Sequence, residues 1–176
     1  MKSSETKPRN ERSAASAVDE IMFTDEMRLA ADNIIKRYVI LAMGAGLIPS
    51  ALVDVVAITI LEVKMIGDLA GAYNFPVPHR LVRYKVLISL IASLGSVYLS
   101  IRMNAALKDA PLVGYMFSAG MLSITGGAAV YAVGKIFQKH YESGGTFLSS
   151  DNSVLRRYFK EKYQEGKKVV PGYATP

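Results

Sequence analysis

The stretch from Ala42 to Pro76, AMGAGLIPSALVDVVAITILEVKMIGDLAGAYNFP, is a long apolar run with one internal proline and four charges, Asp54, Glu62, Lys64 and Asp68. Pro49 lacks a backbone N–H and biases Ile48 away from the α region, yet it suits the first turn of a following helix. The spacing predicts a helix that ends near Leu47, a tight turn carrying Gly46 and Pro49, and a second helix from Pro49 or Ser50 to about Tyr73. At a helical period the four charges fall within less than half of the circumference, with Val56, Ile60, Val63 and Gly67 opposite. One carboxylate at the centre of a bilayer costs about 2.5–3.5 kcal/mol even on the lenient insertion scale. The segment is therefore expected as an interfacial or re-entrant hairpin, and Asp54, Glu62 and Asp68 as a polar face turned toward a partner.

Upstream, residues 1–20 are rich in Ser and charge and are expected to form a disordered tail without the apolar core of a signal peptide. Thr24 is a candidate N-cap, with Asp25 and Glu26 at the positive end of the helix dipole. Met27, Ala30, Ala31, Ile34, Ile35 and Tyr38 follow as one apolar stripe. Downstream, two prolines in NFPVPH (residues 74–79) forbid a continuous helix. Arg80, Arg83 and Lys85 then precede Val86–Ile101, and this order of cations before an apolar run marks a cytoplasmic flank. Residues 86–107 and the twenty-five uncharged residues 110–134 are each long enough to span a bilayer. The short link RMNAALKDAP predicts that they pair antiparallel, through Ala92, Ser96 and Ser100 on one helix and Ala119, Ser123 and Gly127 on the other. Ser143, Gly144 and Gly145 end that helix. After Asp151, Val154–Glu165 reads as a basic amphipathic helix with Arg156, Arg157 and Lys160 on its polar face, and GKKVVPGYATP as a flexible tail.

The chain thus divides into residues 1–20 as tail, 21–146 as the helical membrane-associated domain, and 147–176 as basic helix and tail. The expected fold class is all-α, a membrane-associated bundle of two antiparallel helical hairpins plus a short basic C-terminal helix.

Composition narrows the chemistry. The absence of cysteine excludes disulfides, thiolate metal sites and cysteine nucleophiles. The formal charge of +6 is local, because residues 1–37 balance seven cations against seven acids; this fits positive-inside topology better than a nucleic-acid face. Gly134, Lys135 and Ile136 lack the strand and hydroxyl of a phosphate-binding loop. His79 and His140 have no partner at metal-ligand spacing. No catalytic residue, cofactor or metal is expected, and the chain is not read as an enzyme.

Three blocks carry a family resemblance: Gly46, Leu47, Ile48 and Pro49 with Asp54; Met65, Ile66, Leu69, Ala70 and Tyr73; and Tyr131 to Gly134 running on to His140, Tyr141, Gly144 and Gly145. In their order and spacing, over roughly residues 30–146, the chain resembles the bacterial YcjF-like family, domain of unknown function 697. Ala51 stands where family members often have a second proline, and Glu62 where Gln or Arg is common. The resemblance implies an α-helical, membrane-associated domain without established enzymatic activity, often fused to or encoded beside small Era-like GTPase domains.

The leading expectation is a multi-pass protein of the bacterial inner membrane with both termini cytoplasmic. It would contact membrane lipid, form a possible homo-oligomer, and act as a non-enzymatic anchor or accessory that docks a cytoplasmic partner, with a GTPase in a separate chain as the partner class. Two alternatives stand beside it: an oligomeric ion or proton conductor using Asp54, Glu62 and Asp68, and a soluble helical bundle whose apolar hairpin is its core.

Overall fold

A computed structural model describes residues 9–45, 51–76, 79–94 and 112–173, with side chains at 24–44, 56–76, 79, 82, 83, 85–90 and 123–173. Every element among the described residues is helical. In chain order these are α1 (Arg9–Ala45), α2 (Ala51–Ala72), α3 (Arg80–Leu94), α4 (Leu112–Glu142), a 3-10 turn (Phe147–Ser149) and α5 (Asn152–Tyr173).

Helix α4 is the axis of the bundle. Ala128 to Val133 are buried without a break, followed by Ile136, Phe137 and Tyr141. An uninterrupted buried run on a helix requires neighbours on every side. These are α1, through Ala31, Ile35, Tyr38, Val39 and Ala42; α2, through Met65, Ile66 and Leu69; and α5, through Phe159, Tyr163 and Val170. The missing charge between 123 and 134, expected as a sign of lipid, is here the signature of a protein core. Among the described residues no helix is long and apolar enough to cross a membrane.

The small-residue row on α4 is present but serves a different neighbour. Ser123 Oγ donates to the Met43 carbonyl at 2.9 Å. A Cβ at Gly127 would lie 2.9 Å from Met43 and from Val170, and one at Gly134 would lie 2.9 Å from Ile35. The row therefore lets α1 lie close against α4, with α5 beside it. Ala119, Ala92, Ser96, Ser100 and the link at 102–111 lie outside the described side chains, and the expected turn with Gly46 and Pro49 lies outside the described residues.

Two helix ends share one chemistry. At the end of α2, Asn74 adopts a left-handed φ of 50°, Asn74 N–H donates to Gly71 at 3.1 Å, and Phe75 N–H donates to Ala70 at 2.8 Å. At the end of α4, Gly144 takes φ 67°, with Gly144 N–H on Tyr141 at 3.0 Å and Gly145 N–H on His140 at 2.8 Å. Both are Schellman caps, which satisfy the last free carbonyls of a helix. The two ends also meet: a Cβ on Gly145 would stand 2.8 Å from the Phe75 ring, and Phe75 packs on Tyr141 with ring centroids 5.1 Å apart.

Two expected boundaries move. Helix α1 begins at Arg9, inside the expected tail, where six of the ten residues of Arg9–Val18 are helix-favouring Arg, Glu or Ala. Helix α5 continues beyond Glu165 to Tyr173, through residues read as a flexible tail. Gly166 and Val170 are buried against the rest of the bundle, and that contact outweighs the poor helix propensity of Gly166 and of Pro171 near its end. The apolar face of α5 is spent on α4, so this helix does not lay that face on a membrane.

Candidate functional site

The acidic face expected on α2 divides. Glu62 is fully buried, whereas Asp68 is at the surface, where Oδ2 accepts from Arg37 at 2.7 Å and from the Tyr38 hydroxyl at 2.8 Å. The two carboxylates stand about 120° apart around the helix. That angle, most of the sector the four charges share, separates the core from solvent once α1 and α4 cover one side. Asp54 lies outside the described side chains. The opposite stripe divides as well: Val63 and Gly67 are buried, while Val56 and Ile60 are exposed.

The basic hinge is reassigned in part. Arg83 folds across α2, donating from Nη1 to the Val63 carbonyl at 3.1 Å, and its guanidinium occupies the space that a Cβ at Gly67 would take. It holds α3 to α2 and is not a free flank. Lys85 is exposed, and the Arg80 side chain lies outside the described ones. On α5, Arg156, Arg157 and Lys160 are exposed as expected, and the stripe continues through Lys167 and Lys168.

Polar cross-links pin the faces of the bundle. Asp32 Oδ1 accepts from Lys135 at 2.7 Å and from Gln138 at 3.1 Å, and Glu142 Oε1 accepts from Tyr73 at 3.1 Å and from Arg28 at 3.2 Å. Burial pushes the Tyr73 hydroxyl up to about 12, and the nearby Glu142 carboxylate contributes to the rise. Tyr131 donates to Glu165 across the α4–α5 seam. Burial opposes ionisation of Glu165, but Lys162, at 2.7 Å, and Tyr131 outweigh it and hold the carboxyl below its usual value. Tyr131→Phe is expected to cost about 1–2 kcal/mol, read as a lower urea midpoint with an unchanged m-value.

His140 sits among Phe75, Phe137 and Tyr141. Its Nδ1 accepts the Leu148 amide at 3.3 Å, and burial lowers its pKa below the ordinary 6.5. The unfolded chain thus takes up this proton at higher pH than the folded one, so the His140 contribution to stability is complete above about pH 6.5 and falls as pH drops toward the folded value. The expected result is a melting temperature that declines from pH 7 to pH 5, with a smaller decline in His140→Gln. Equal declines in both proteins would contradict it.

The aliphatic surface had no place in the sequence-based site. Ile40 and Leu41 on α1, and Val56 and Ile60 on α2, are each exposed by 43% or more. They lie on the C-terminal part of α1 and the N-terminal half of α2. Val170 of α5 meets Gly127 beside Met43, which brings the C-terminal half of α5, with Lys167 and Lys168, to the end of α1 that carries Ile40 and Leu41. Arg156, Arg157 and Lys160 lie toward the opposite end, about 15 Å further along α5 at 1.5 Å per residue. The sequence signal for this surface was a stretch from 38 to 53 with no charge at all. Among the described residues no group of three or more His, Asp or Glu side chains is placed to hold a metal ion.

The chain is 37% identical over 147 residues to magnetosome membrane protein 22 of Magnetospirillum gryphiswaldense, an alignment that covers 81% of this chain and 73% of that protein. No solved structure matches it. A family model, the domain of unknown function (DUF697), matches residues 13–168. Nearly all of the described bundle, from α1 through most of α5, falls inside those bounds, and the chain belongs to this family.

Proposed function

We propose that this protein is a non-enzymatic, membrane-associated accessory whose two ends divide the work. The aliphatic end, with Ile40, Leu41, Val56 and Ile60 rimmed by Lys167 and Lys168, enters the lipid interface. Apolar side chains bordered by lysines are the pattern of interfacial binding, in which burial supplies affinity and cations meet anionic headgroups. The opposite end presents Arg156, Arg157 and Lys160 to the cytoplasm, where they dock an acidic patch on a protein partner. An Era-like GTPase in a separate chain is the partner class that the family resemblance favours.

The observation that carries this reading is that, among the described side chains, Ile40, Leu41, Val56 and Ile60 are exposed aliphatic residues on the halves of α1 and α2 that adjoin residues 46–50, with Leu29, Val82 and Ile88 exposed elsewhere. The membrane assignment in the name of the magnetosome relative supports it. Conduction through an acidic seam is disfavoured, because Glu62 is in the core and Asp68 is tied to Arg37 and Tyr38.

Purification from bacterial membranes in mild detergent tests the docking half. A GTPase is expected to co-purify with the wild-type protein and to be lost from the triple variant Arg156→Glu, Arg157→Glu, Lys160→Glu, with membrane association retained. Retention of the GTPase by the triple variant, or its absence from both preparations, would contradict the assignment.

A further inference from the structure

We propose that the cleft between α3, the end of α4 and the start of α5 binds a small anionic amphiphile, a phosphate or carboxylate head on an apolar stem. The cleft is open to solvent and holds about 420 Å³, a volume of the order of small-molecule sites. Leu90 and Leu155 form its floor, each almost fully buried, with Val86 and Leu148 half-buried on the walls. Three exposed polar residues, Lys85, Ser89 and Ser149, stand at its mouth.

The charge of the lining decides the head group. Lys85 is its cation, and no acid lines the cleft among the described residues. Asp151, close to Ser149 in sequence, is not part of the lining; its exposed carboxylate caps α5, where Oδ1 accepts the Ser153 amide at 2.7 Å. His140 supplies a further donor. Because Nδ1 accepts the Leu148 amide, the neutral ring carries its proton on Nε2, and burial favours that neutral form. Two hydroxyls, an ammonium and a ring N–H can meet an anion, whereas a cation would face Lys85 with no carboxylate to offset it. The four aliphatic side chains give inorganic phosphate alone nothing to bury, so the ligand carries a stem. This site is separate from the aliphatic end of the bundle and does not depend on the membrane docking proposed above.

The test titrates the full chain carrying Ile40→Ser, Leu41→Ser, Val56→Ser and Ile60→Ser, exposed substitutions that remove the aliphatic end as a second amphiphile surface, with dodecyl phosphate, dodecanoate and dodecyltrimethylammonium by calorimetry, each below its micelle-forming concentration. The better of the two anions is expected to bind one to one, about tenfold or more tighter than the cation, a difference of about 1.4 kcal/mol. Lys85→Gln is expected to remove most of that preference. Ser89→Phe, which fills the mouth from an exposed position, is expected to abolish binding of anion and cation alike. Lys64→Gln, on the exposed face of α2, is expected to change neither. Preference for dodecyl phosphate assigns the source to phospholipid headgroups, and preference for dodecanoate to free acyl carboxylates. Equal affinity for anions and cation, or anion binding that survives both Lys85→Gln and Ser89→Phe, overturns the proposal.

Discussion

Phe159→Ala is expected to destabilise the protein by about 3–5 kcal/mol, the cost of deleting a fully buried aromatic ring and leaving a cavity. Phe159 has no exposed surface and stacks on Tyr163 with ring centroids 6.2 Å apart. Both rings lie in the seam where α5 packs on α4. For a chain of this size each kcal/mol corresponds to about 2–4 °C, so the melting temperature is expected to fall by about 10 °C. The comparison that gives the number meaning is Arg157→Ala on the exposed face of the same helix, which is expected to change stability by no more than about 0.5 kcal/mol. If α5 were a loosely attached surface helix, the two substitutions would have similar small effects on the global transition.

The second large effect is expected at Gly166. A Cβ there would lie 3.1 Å from the Ala128 Cα, 3.1 Å from the Ala128 carbonyl oxygen and 3.1 Å from the Tyr131 ring. Two of the three neighbours are backbone, which cannot rotate away as a side chain can. Gly166→Leu is therefore expected to cost about 3 kcal/mol through overpacking. Gly71→Leu is the control, since nothing stands within 4 Å of its Cβ position; there, in the last turn of α2, replacing glycine is expected to stabilise by up to about 0.5 kcal/mol. Opposite signs for one chemical change at two helical glycines, measured by urea denaturation, would establish that α4 and α5 are in backbone contact.

Local chemistry was the legible part of this sequence. The proline-rich break after Tyr73 and the Gly144–Gly145 stop announce themselves through residues that do not continue a helix, and described helices end at both; the expected turn at Gly46 and Pro49 lies outside the described residues. The all-helical class followed from the apolar periodicity. Partner choice was not legible. Ser123 and Gly127 form a close-packing row that identifies a neighbour's approach but not the neighbour, and α1 fills that place through Met43 and Val39. An uncharged helix reads the same whether lipid or protein surrounds it, so the run from 123 to 134 suited a membrane span and is instead bundle core over its described length. In the same way, Glu62 and Asp68 share a sector on a helical wheel, but only the packing of α1 and α4 determines which of the two reaches solvent. The far end of α5 was hidden by Gly166 and Pro171, whose propensities point to a tail while Val170 is held in the core.

Vesicle flotation tests the central claim, that the aliphatic end of this bundle is what enters the membrane. The wild-type chain is expected to float with vesicles containing phosphatidylglycerol. A variant carrying Ile40→Ser, Leu41→Ser, Val56→Ser and Ile60→Ser is expected to keep its helical circular dichroism and its cooperative melt, because all four side chains are exposed, and to remain in the bottom fraction. A folded quadruple variant that floats as well as the wild type would contradict the account.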